Sequence, residues 1–68
     1  MEKNWVKIHT VAQEYEAEMI KGMLAENDID CVTVNKKDSA YLFGEIEIFV
    51  DVEDAFFAKQ FIMNLKSE

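Results

Sequence analysis

The chain predicts an α+β fold, a two-layer sandwich of three strands and two helices in the order β-α-β-β-α. Three observations carry that prediction. Residues alternate between apolar and polar in three short segments, apolar residues recur at helical spacing in two longer ones, and turn-forming residues separate them. Strands and helices that are each apolar on one side bury those sides against one another, and two layers are the smallest arrangement that does so.

The first strand is predicted over Trp5 to Thr10, with Val6 and Ile8 on one side and Trp5, Lys7 and His9 on the other. Thr10-Val11-Ala12-Gln13 fits a capping box, in which the hydroxyl and the amide each satisfy an orphan backbone donor. The first helix is therefore expected from Val11 to about Asn27. Ala17, Ile20, Met23 and Leu24 fall on its inner stripe, while Glu14, Glu18 and Lys21 lie outside it. Glu16 falls near that stripe and is expected to snorkel outward or pair with a lysine. Gly22 costs roughly 1 kcal/mol against Ala in a helix interior, and Asn27-Asp28 supplies the turn that ends the helix.

The second strand, Cys31 to Asn35, is predicted with Val32 and Val34 inward and Cys31, Thr33 and Asn35 outward. After Gly44, the segment Glu45 to Val50 turns Ile46, Ile48 and Val50 inward and Glu45, Glu47 and Phe49 outward. Asp51 is a suitable N-cap, and Glu53 and Asp54 place negative charge where the helix dipole favours it. The second helix is expected from Val52 to about Leu65, with Ala55, Ala58, Phe61, Ile62 and Leu65 inside. Phe56 and Met63 then point away from the core, and Phe57 lies at the flank.

A right-handed β-α-β crossover leaves room for the third strand between the first two, giving the order 1-3-2 and a fully antiparallel sheet. This is the ferredoxin-like plan without its final strand. Strand one becomes an edge that a second copy could pair with. The 68 residues make a single domain, with an ordered core expected over about residues 5–65.

Composition narrows function further. A chain this short buries only about 60% of its unfolded surface, so assistance from disulfides, metals or oligomers is expected. Cys31 is the sole cysteine and His9 the sole histidine, which leaves no internal disulfide and no four-ligand zinc site of the common kind. No metal or cofactor is expected, and a homodimer is the remaining aid. The formal charge of −7 opposes nucleic acid and anionic membrane as partners, leaving protein partners. No apolar run is long enough to span a bilayer, and the start Met1-Glu2-Lys3-Asn4 lacks a signal-peptide core, so the cytoplasm is the expected setting.

The stretch from Asn35 to Gly44 is longer than a tight hairpin needs and carries both a lysine pair and apolar bulk. It is the first candidate for a working surface. In one reading Lys36 and Lys37 attract an anion, Asn35 and Ser39 donate hydrogen bonds, and Tyr41 stacks on the ligand. In the other, Asp38-Ser39 makes a turn while Leu42 and Phe43 cover the sheet edge. Trp5 and Phe49, on adjacent strands of the back face, and Phe56 and Met63, on the outer side of the last helix, form a second candidate surface for a partner. His9, Cys31, Glu45 and Glu47 share the predicted back face but mix soft and hard ligands without close spacing, so neither a metal site nor a Cys–His nucleophile is expected.

The succession Y-E-A-E-M-I-K-G-M-L from Tyr15, with I-D-C-V-T-V-N-K-K-D-S-A-Y-L-F-G-E-I-E-I-F-V from Ile29, resembles a family of small bacterial domains. That family is known as a "putative prokaryotic signal-transducing protein" family, a domain of unknown function, and the resemblance spans roughly residues 5 to 62. It implies a small α+β sandwich related to the ferredoxin-like and nitrogen-regulatory plans, with no catalytic residue to carry over. The expected function is a non-catalytic binding or regulatory module acting through protein contacts, with an anion or nucleotide sensor using the 35–44 loop as the alternative.

Overall fold

A computed structural model describes residues 4–36 and 45–66 of the chain. Its elements are β1 (Trp5–Val11), α1 (Glu14–Glu26), β2 (Cys31–Asn35), β3 (Ile46–Asp51), a 3-10 turn (Val52–Asp54) and α2 (Ala55–Lys66). The sheet has the order β1-β3-β2, and β3 runs antiparallel to both neighbours. The predicted fold class and strand order are therefore those of the molecule. One apolar cluster unites Ile46, Ile48 and Val50 of β3 with Ala17, Ile20 and Leu24 of α1 and Ala58 and Ile62 of α2. Both helices thus cover the same face of the central strand.

Two strand faces differ from the sequence prediction. Residues paired across an antiparallel ladder point to the same side of the sheet. Cys31 pairs with Val50, Thr33 with Ile48 and Asn35 with Ile46, so these three residues of β2 share the helix side. Val32 and Val34, predicted inward, face outward and are 39% and 41% exposed. The parity is set before the strand begins. Ile29 is buried against the core, and alternation from Ile29 brings Cys31 and Thr33 to the same side. At the other end the N–H of Lys36 donates to the carbonyl of Glu45 at 2.9 Å, continuing the same register.

In β1 the register slips between Lys7, opposite Phe49, and His9, opposite Ile48, leaving Ile8 as the extra residue of a bulge. Alternation inverts beyond a bulge. His9, predicted beside Trp5 and Lys7, consequently lies on the helix side, lining a recess with Ile8, Lys59, Ile62 and Met63. The same inversion buries Val11 at the end of the strand, opposite Ile46, rather than opening a helix with it. Helix α1 starts three residues later than predicted, at Glu14, with Gln13 rather than Thr10 at the cap. There the Glu16 carboxylate accepts a hydrogen bond from the Gln13 N–H at 3.3 Å, which accounts for its place near the inner stripe.

The end of α1 is a Schellman motif: the Asp28 N–H donates to the Ala25 carbonyl at 3.1 Å and the Ile29 N–H to that of Leu24 at 2.9 Å. Asp28 occupies the left-handed region with φ 62°, a conformation that glycine adopts without penalty. Its carboxylate also faces the negative end of the helix dipole. Asp28→Gly is expected to stabilise the fold by about 0.5–1 kcal/mol, raising the midpoint by about 4–8 °C per kcal/mol for a domain of this size. Thermal unfolding followed by circular dichroism measures this directly, and an unchanged or lower midpoint contradicts it.

At the start of α2 the Asp51 carboxylate accepts from the Glu53 N–H at 2.9 Å, the predicted capping role, although the first turn is 3-10 rather than α. Ala58 and Ile62 are buried as predicted, whereas Leu65, predicted on the inner stripe, is exposed in the last turn.

Candidate contact surfaces

The face of the sheet turned away from the helices is built by the odd-numbered start of β1, the even-numbered residues of β2 and the odd-numbered residues of β3. Trp5, Val32, Val34 and Phe49 meet there around a shallow, open cleft of about 240 Å³. Val32 stands directly opposite Phe49 on the neighbouring strand. Beside them the Lys7 ammonium lies 3.3 Å from the Glu47 carboxylate. The patch is thus apolar at its centre, with a cation and an anion paired at its border. In solvent such a pair contributes at most about 1 kcal/mol, and Asp51, opposite Trp5 in the ladder, adds a further carboxylate at the end of β3.

Trp5 and Phe49 are brought together as the sequence suggested. Val32 and Val34 were missed, because an isolated V-T-V reads naturally as a strand with its valines inward; the position of Ile29 was the available signal. Phe56 and Met63 are exposed on α2, on the opposite side of the molecule from Trp5 and Phe49, so the predicted partner surface divides into two. Phe56 packs edge-on against Phe57, ring centres 5.5 Å apart at 79°.

Of the candidate loop residues, Asn35 and Lys36 are described. Asn35 borders a recess on the helix side with Thr33, Glu14 and Glu18, and Lys36 is exposed. Lys37, Asp38, Ser39, Tyr41 and Phe43 lie outside the described residues.

The geometry separates the groups that could have done chemistry. His9 and Cys31 sit on the helix side of two strands held apart by β3, while Glu47 belongs to the outer face. Among the described residues no three His, Cys, Asp or Glu side chains gather where a metal ion could be held. Burial against the core pushes the Cys31 thiol pKa up, and the nearby Lys21 charge offsets this only in part. A raised folded-state pKa stabilises the fold fully below the thiol's unfolded pKa, and that contribution is lost as pH rises through the folded value. Cys31 is accordingly expected to react several-fold more slowly with iodoacetamide at about pH 8 in the native chain than in urea. Equal rates would show that the thiol is not held against the core.

No helix among the described residues is long and apolar enough to cross a membrane. No curated protein and no solved structure matches the chain. Residues 5–66, nearly its whole length, match the family described as "Putative prokaryotic signal transducing protein". The chain belongs to that family.

Proposed function

We propose that this chain is a non-catalytic signalling module that acts by protein contact, through the outer face of its sheet, and that a second copy of the chain is one occupant of that face. The observation that carries the reading is the apolar cleft walled by Trp5, Val32, Val34 and Phe49, on a side that the helices leave uncovered. Two copies carrying −7 each repel over most of their surfaces. The outer face carries less of this, because its centre is apolar and Lys7 pairs with Glu47 at its border, where a two-fold axis can exchange their partners between copies. Pairing through the edge of β1 is the weaker route, since the bulge at Ile8 interrupts the regular ladder and protects the edge. The patch is small against a standard interface, so the association is weak and reversible.

Sedimentation equilibrium tests this. The apparent mass should climb from 7.9 kDa toward twice that value as the concentration is raised. Val32→Asp/Val34→Asp should remain folded and hold the monomer mass throughout. A wild-type mass independent of concentration, or a double variant that associates equally well, overturns self-association through this face.

A further inference from the structure

We propose that the outer surface of the helix layer is a second docking site, and that its occupant is a cationic amphipathic helix of a partner protein. This surface lies on the side of the molecule opposite the sheet patch, so a partner on one face leaves the other accessible. Among the described residues, every large apolar side chain more than half exposed lies on α1 or α2: Tyr15, Met19, Phe56, Phe57 and Met63. Their spacing is ordered. Tyr15, Met19 and Gly22 follow one another at intervals of four and three along α1, and Phe56, Gln60 and Met63 do so along α2. Alternate steps of four and three trace the seam along which one helix packs on another.

Gly22 adds an independent observation. A Cβ built there meets nothing within 4 Å, so no contact among the described residues requires glycine. Its cost to the helix is roughly 1 kcal/mol against Ala. On the outward seam the missing side chain instead leaves a notch into which a neighbouring helix can bring its backbone close. Met19 and Met63 supply flexible, polarisable surface of the kind that adapts to different apolar partners.

Charge selects the occupant. Exposed Glu14, Glu18 and Glu26 flank the α1 seam against one cation, Lys21, which lies 3.7 Å from Glu18; exposed Glu53 precedes α2, which itself carries the exposed Lys59, so the acidic border is that of α1. A second copy would bring the same carboxylates against them, and an anionic membrane surface is repelled likewise. A helix with bulky apolar residues on one side and lysines or arginines along its borders complements both features.

The test uses the full chain and two synthetic peptides. Each is roughly 18 residues long, enough to hold a helix, with leucine at amphipathic spacing and either lysine or glutamate elsewhere. The lysine peptide should bind and shift the backbone amide resonances of α1 and α2 rather than those of β2 and β3. Met19→Ser/Met63→Ser should weaken binding about tenfold. Gly22→Gln fills the notch with an uncharged, better helix former, and should weaken binding about tenfold while leaving the thermal midpoint equal or higher. Val32→Asp/Val34→Asp should bind as wild type does, which separates this site from the sheet face. Failure of the lysine peptide to bind overturns the proposal. So do equal binding of the glutamate peptide, shifts centred on the sheet face, and wild-type affinity in both helix variants.

Discussion

Ile48→Ala is expected to cost about 3–4 kcal/mol and to leave much of the population unfolded at room temperature. Ile48 is 0% exposed in the middle of the central strand, where the side chains of both helices close over it. Removing three carbons there loses their transfer free energy and leaves a cavity that neighbours on a rigid sheet fill poorly. A domain of this length holds only about 3–10 kcal/mol in all, so one such loss takes most of it. Val34→Ala, one strand away and on the outer face, should cost less than about 1 kcal/mol because the valine is already partly in water. Urea unfolding followed by circular dichroism compares the two. Similar costs would mean that Val34 is packed under the helices after all, and that the face assignment of β2 is wrong.

Ala58→Asp should abolish folding, while Phe56→Asp, two residues away, should be tolerated within about 0.5 kcal/mol. Ala58 is completely buried where α2 meets the sheet, and an aspartate there places a carboxylate in the cluster of Ile46, Ile48 and Val50, which among the described residues buries no charged side chain. Either the charge is desolvated or the helix lifts off, and each costs more than so small a domain can spare. Phe56 stands on the far side of the same helix, exposed to solvent. Dispersion of the amide proton resonances reports the outcome. A folded Ala58→Asp chain, or an unfolded Phe56→Asp chain, would mean that α2 is rotated about its axis relative to this account.

Much of this structure is legible in the residue pattern. β3 and both helices turn to the core most of the side chains that periodicity assigns to them, Leu65 in the last turn of α2 excepted, because each carries a regular period. The connection order then leaves little choice of topology. What periodicity could not supply was parity across a short or interrupted strand. β2 has five residues, and V-T-V offers an apolar face that competes with the true inward set of Cys31, Thr33 and Asn35. The ladder to β3 decides in favour of the polar set, since Ile29 is already committed to the core. In β1 the bulge at Ile8 inserts a residue that no local signal announces, so everything after it changes sides. His9 and Val11 therefore lie on the side opposite to the one periodicity predicts, and Thr10 continues the strand instead of capping the helix. The contact surface was half legible. Trp5 and Phe49 stood out as aromatic residues on a face that should be polar, but their neighbours Val32 and Val34 follow only from the corrected parity.

Trp5 is the sole tryptophan of the chain, which makes it a private reporter of the outer sheet face. Its emission maximum and its quenching by acrylamide, read across the concentration range in which the mass is measured, locate any contact that sedimentation detects. As copies associate, emission should move to shorter wavelength and quenching should fall, and neither should change in Val32→Asp/Val34→Asp. A mass that rises while Trp5 stays equally accessible would contradict it and place the contact elsewhere on the molecule.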